Sequence, residues 1–248
     1  MLRGAKSLPK HRKRRMRVSA AKPMNSVTKK ALAGAAWLLL VMALMLFVSA
    51  GSIRFWQGWI YWSIFCLWVV VITTYFLRHD PNLVARRTSA GPIAEPEVTQ
   101  KVIQGIASAL FCALLIVPGL DHRFRWSSVQ FTLVLAGDTL VTVSFAIVFL
   151  VFKENSYAAG VVQVEKEQPV ISTGLYAYVR HPMYGGGALL LIATPLALGS
   201  WWGLPVALLL CAVIVVRLFD EERRLAAELP GYEEYRRKVQ YRIVPGVW

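Results

Sequence analysis

Six stretches of the chain are apolar and long enough to be read as membrane helices, and the polar positions fall between them. Residues 31–50 form the first, about 20 residues, enough to cross a hydrocarbon layer of roughly 30 Å. Residues 59–77 and 101–117 follow, the latter stopped by Pro118-Gly119, and then 129–152, long enough to span with some tilt. Residues 183–198 and 204–219 are about 16 each, short for full spans. They predict a tight helical hairpin with Trp201 and Trp202 at its tip, or a re-entrant one. The fold expected is an all-α integral membrane protein of about six transmembrane helices. It divides into a basic arm over 1–30, a four-helix half over 31–152, and a polar-and-hairpin region over 153–248.

Composition agrees: 56% of the 248 residues are hydrophobic and 17% are charged, too apolar for an ordinary soluble domain. Cys66, Cys112 and Cys211 all lie in apolar runs and imply no disulfide framework; four histidines with no Cys/His cluster argue against a structural metal. The formal charge of +14 is concentrated at the start, where residues 1–23 hold nine Lys/Arg and no acid. Such an arm suits an anionic membrane face rather than nucleic acid. Met24, followed by Asn-Ser-Val-Thr-Lys-Lys and an apolar run, offers an alternative start to Met1. With six spans, 25 of the 28 Lys/Arg lie on the side of both termini, and Arg54, Arg123 and Arg125 on the other. By the positive-inside rule, both termini are expected in the cytoplasm.

The chemistry gathers at the cytoplasmic ends of the predicted hairpin. Gly-Leu-Tyr-Ala-Tyr-Val-Arg-His-Pro-Met-Tyr-Gly-Gly-Gly, beginning at Gly174, precedes and opens its first helix; Arg217, Glu221 and Glu222 close its second. Pro182 suits a first helical turn, so His181 lies at a helix start, where free N–H groups favour an anion. Gly185, Gly186 and Gly187 serve either close helix packing or the approach of a ligand to backbone. Arg217 and Glu221 share one helix face, while Glu222, Arg223 and Arg224 are read as a solvated helix end. Tyr176, Tyr178 and Tyr184 offer aromatic faces for a cation such as a sulfonium, or form an interfacial belt. Asp138, with Thr139 and Thr142, is an acid inside a span, hence either functional or buried in packing. Phosphate-loop, dinucleotide and nucleophile-elbow motifs are absent.

Gly174-x-Tyr176-x-x-x-Arg180-His181-Pro182-x-Tyr184-x-Gly186, then Arg217-x-x-x-Glu221-Glu222 and Gly231-Tyr232-x-x-Tyr235, resembles the isoprenylcysteine carboxyl methyltransferase and phospholipid methyltransferase family. The resemblance covers roughly 153–248. It implies S-adenosylmethionine as cofactor, a lipophilic or prenylated acceptor drawn from the bilayer, and methyl transfer at the cytoplasmic face. By position, cofactor contacts would come from Gln168, Pro169, Val170, Ile171, Tyr176, His181, Pro182, Met183, Tyr184 and Glu221. Gln168 stands where family members tend to have a histidine. Arg217 would hold an acceptor carboxylate as the catalytic residue. The alternatives are a phospholipid amine N-methyltransferase, an NADPH-dependent sterol-type membrane reductase with a similar His-Pro-x-Tyr element, and a non-enzymatic scaffold.

Overall fold

A computed structural model describes residues 24–88, 98–158 and 168–248. The basic arm and the Met1/Met24 alternative lie mostly outside them. The described residues are helical, with no strand: α1 (Met24–Ala50), α2 (Trp56–His79), α3 (Pro81–Thr88), α4 (Val98–Phe124), α5 (Phe131–Glu154), a 3-10 turn (Gly174–Ala177), α6 (Pro182–Ala197), α7 (Gly203–Glu228) and α8 (Tyr232–Lys238). α1, α2, α4, α5 and α7 are long and apolar enough to cross a membrane; α6 is shorter. Their outward faces are apolar, with Trp37, Leu40, Leu44 and Val48 of α1 and Leu208 and Leu209 of α7 exposed. A soluble bundle would put charge there; a membrane bundle puts lipid there.

Several boundaries differ from those read off the sequence. α1 begins at Met24, so residues 24–30, assigned to the arm, are helical. α4 runs through Pro118 to Phe124 instead of stopping there. In a membrane helix, neighbouring elements tolerate the one missing backbone bond. Asp121 at its end is buried. Its carboxylate accepts from the Ser127 amide (2.7 Å) and from the Ser127 and Ser200 hydroxyls. That ties the α4–α5 loop to the α6–α7 turn. Residues 81–88, between the second and third apolar runs, form α3. The second hairpin helix is not a 16-residue run either: α7 has 26 residues, about 39 Å at 1.5 Å per residue. Its apolar part is continuous with its charged part because nothing in Arg-Leu-Phe-Asp-Glu-Glu breaks a helix.

α6 lies along α5, α4 against α1 and α7, and α7 beside α6. The central core joins Met42 and Leu46 of α1, Tyr61 and Phe65 of α2, Phe145 of α5 and Ala193 of α6. Contact of α6 with α5 depends on two small residues. A Cβ on Gly137 would stand 2.5 Å from the Ala197 backbone nitrogen, and one on Gly186 would stand 2.9 Å from Ile147 Cγ2. This places the N-terminus of α6 beside the end of α5. Equal rise along an antiparallel pair then sets Arg217 and Glu221 of α7 level with Pro182–Tyr184 of α6.

Candidate active site

At that level a cleft of about 260 Å³ opens between α3, the ends of α5, α6 and α7, and α8. The size is near the lower edge for a small-molecule site. Of the residues expected to contact a cofactor, Gln168, Pro169, Val170, Ile171, Tyr176, His181, Met183, Tyr184 and Glu221 line it, and so does Arg217. Pro182 does not line it; it is buried at the first position of α6, setting the helix direction. Tyr178 is largely exposed and does not line the cleft.

Glu221 reaches across to α6, where the Tyr184 hydroxyl donates to Oε2. The same hydroxyl faces Arg217. One acid, one phenol and one guanidinium therefore meet at the cleft wall. Tyr176 enters from the 3-10 turn: its hydroxyl accepts from Asn155 Nδ2 at 2.9 Å, and its carbonyl accepts from the Tyr235 hydroxyl at 2.7 Å. Burial pushes the Tyr176 phenol up to about 12, and burial also raises Tyr232 and Tyr235. The three rings therefore stay neutral at physiological pH. They offer uncharged aromatic faces and no general base.

Glu222, expected as part of a solvated helix end, is instead buried, and this is the largest correction to the sequence reading. Oε1 accepts from Arg180 Nε at 2.7 Å and Oε2 from Arg242 Nε at 2.9 Å. His181 Nε2 stands 3.5 Å from Oε1, within ion-pair range but without hydrogen-bond geometry. Arg180 also donates to the Val239 and Gln240 carbonyls, both at 2.8 Å. The amides of Arg180 and His181 donate to the Tyr241 and Arg242 carbonyls at 2.9 and 2.8 Å. Thus the chain after α8 folds back as a strap over the segment that opens α6. Arg242 and the terminal Trp248 pack on Phe219. Arg224, also assigned to the solvated end, lines the cleft and pairs with Asp220 at 3.6 Å. Arg223 is exposed as expected.

Two of the three glycines serve packing: Gly186 meets α5 and Gly185 meets Ile243 of the strap, whereas Gly187 meets nothing within 4 Å, and none of the three lines the cleft. Asp138 is buried with no hydrogen-bond partner for either oxygen among the described residues, and it lies away from the cleft. Sequence reasoning missed Arg87, Asn155, Arg180 and Arg224 as cleft residues. The available signal was weak: an arginine pair at the end of a short amphipathic stretch after the second span.

A second, open groove between α1, α4, α6 and α7 shares a wall with the first. It is lined by Leu38, Met42 and Met45 of α1, Gln104, Phe111 and others of α4, Leu191 of α6 and Leu210 of α7, and Arg217 lines it as well. Arg217 is thus the wall shared by a polar cleft and an apolar groove.

Among known proteins, the phospholipid methyltransferase family matches residues 132–229, from the first turn of α5 to the residue after α7. No curated protein matches the chain. The matched segment holds the 3-10 turn, the His-Pro-x-Tyr start of α6 and Arg217, Glu221 and Glu222 of α7. Residues 132–229 therefore carry the phospholipid methyltransferase family signature on a helical membrane bundle, and that family points to a membrane methyltransferase.

Proposed function

We propose that the protein transfers a methyl group from S-adenosylmethionine to a lipophilic acceptor bearing a carboxylate, at the cytoplasmic face of the membrane. The observation that carries this reading is the position of Arg217 between the polar cleft and the apolar groove. An amphiphilic acceptor needs such a junction: its tail in the bundle, its head at the arginine, and its reacting atom in the cleft.

The cleft's donor set suits the cofactor. Glu221 can neutralise an ammonium, the neutral Tyr176, Tyr232 and Tyr235 rings suit a sulfonium, and the backbone of 168–171 borders the same space. When bound, the cofactor supplies an electrophilic methyl group. Arg217 is suited to grip a carboxylate through two parallel N–H donors, fixing an oxygen in line with that methyl. A carboxylate is already ionised at neutral pH, so no residue need remove a proton. The strap and α8 would keep water from the reacting oxygen. The lysine and arginine bias supports a cytoplasmic cleft.

The description of the matched family favours a second reading, methylation of a phospholipid amine. That chemistry needs a base, and His181 beside Glu222 is the group at hand. Calorimetric titration of purified protein with S-adenosylhomocysteine, beside NADPH, tests the cofactor. Saturable binding is expected, weakened roughly tenfold to a hundredfold by Glu221→Ala, since a charged contact contributes about 1.5–3 kcal/mol. Binding of NADPH alone would move the protein to the reductases. A base-labile methyl ester in the product would separate the carboxylate from the amine reading.

A further inference from the structure

One side chain in the cleft comes from outside the matched segment. Arg87 ends α3, which belongs to the N-terminal half. α3 is held rigidly: Asp80 accepts from the Leu83 amide at 3.0 Å and from the Ser156 hydroxyl, and Leu83 and Val84 are buried. Arg86 and Arg87 then reach the segment after α5 in parallel ways. Arg86 Nη1 donates to the Ser156 carbonyl at 3.0 Å, with its guanidinium 4.8 Å from the Tyr157 ring centre. Arg87 Nη1 donates to the Ala158 carbonyl at 3.1 Å, with its guanidinium 4.5 Å over Phe152. Only Arg87 of the two also lines the cleft, and the residue keeps an exposed surface there.

Arg217 lines the same cleft, and its charge reaches Arg87. Arg87, Arg180, Arg217 and Arg224 line the cleft together with Glu221 and Glu228. Arg180 is already engaged by Glu222, and Arg224 by Asp220. Among the described residues the contacts of Arg87 are a backbone carbonyl and an aromatic ring. A guanidinium stacked by one face on Phe152 keeps edge donors for an oxyanion.

We infer that Arg87, acting with Arg217, holds an oxyanion of the ligand bound in the cleft. The oxyanion is either the acceptor's carboxylate or the carboxylate of the amino-acid part of the cofactor. The choice between these two rests on the methyltransferase reading; the arginine pair itself does not.

The test uses full-length protein in lipid nanodiscs. Affinities for oleic acid, oleyl alcohol and S-adenosylhomocysteine are measured for wild type, Arg87→Gln and Arg87→Lys. If the acceptor supplies the oxyanion, Arg87→Gln weakens oleic acid at least tenfold, leaves oleyl alcohol and S-adenosylhomocysteine unchanged, and Arg87→Lys recovers part of the loss. If the cofactor supplies it, the tenfold loss falls on S-adenosylhomocysteine instead. Equal losses for acid and alcohol would mean Arg87 only shapes the fold, and that overturns the inference. So does unchanged affinity for every probe, or failure of wild type to bind either carboxylate. Should Arg87→Gln not fold, the acid-over-alcohol preference of Arg87→Lys decides, because the lysine keeps the charge but not the fork. Wild type that ignores S-adenosylhomocysteine yet binds oleic acid through Arg87 would sink the methyltransferase reading and leave the arginine pair standing.

Discussion

Glu221 and Glu222 are neighbours with opposite fates, and helix geometry is the reason. A step of one residue turns the side chain by about 100°, so one acid faces the cleft while the next faces Arg180 and the strap. Replacing Glu222 by glutamine leaves the buried Arg180 without its counter-charge and turns one of the two acceptor oxygens into a donor facing an arginine. Glu222→Gln is expected to destabilise by about 3–5 kcal/mol, read as a lower melting temperature in detergent. Glu221→Gln, at the cleft wall, should cost ligand affinity with little loss of melting temperature. A melting temperature that falls equally in both would refute this division of roles. The phenols set a pH dependence. Tyr176 titrates higher folded than unfolded, so its contribution is full below about pH 10 and is lost as pH rises toward about 12. Tyr232 and Tyr235 act in the same direction. Tyr176→Phe should therefore lose less melting temperature than wild type between pH 9 and 11.

At the scale of elements, the α5–α6 contact positions everything else, because it sets where α6 begins. Its tolerance should follow the backbone approach. A methyl at Gly137 meets the Ala197 backbone, which cannot rotate away, whereas one at Gly187 meets nothing within 4 Å. Gly137→Ala is expected to cost about 1–3 kcal/mol by overpacking, and Gly187→Ala close to nothing. Equal melting temperatures for the two variants would argue against this packing. The strap is the other positioning element. It supplies carbonyls to Arg180 and to the Arg180 and His181 amides, so a chain ending at Lys238 should lose binding of S-adenosylhomocysteine. Full binding by that truncated chain would show that the strap is dispensable.

For the whole molecule, the two halves divide the work at Arg217. The matched segment builds most of the cleft, while α1 and α4 of the N-terminal half wall the groove and α3 brings Arg87. Ala107 lines the groove on α4, and Ala107→Trp would fill it. We expect that variant to bind S-adenosylhomocysteine like wild type and to favour short-chain over long-chain acceptors; an unchanged chain-length profile would place the acceptor elsewhere. Much of this was legible beforehand. Hydropathy over some 20 residues identifies a membrane helix without tertiary information, because the bilayer imposes its thickness on every span alike. The cleft residues of α6 and α7 were legible too, since Pro182 and the spacing of Arg217 and Glu221 act within a single helix turn. The strap, the Arg180–Glu222–Arg242 cluster and the approach of Arg87 to Arg217 were not. Each joins residues far apart in the chain, and no local pattern encodes which distant partner a buried charge will find. Sequence by itself determined the class of molecule and one wall of its cleft, through local periodicity and composition. Tertiary structure alone decided which charges are buried and which face a ligand, because burial depends on what packs against a helix and not on the helix itself.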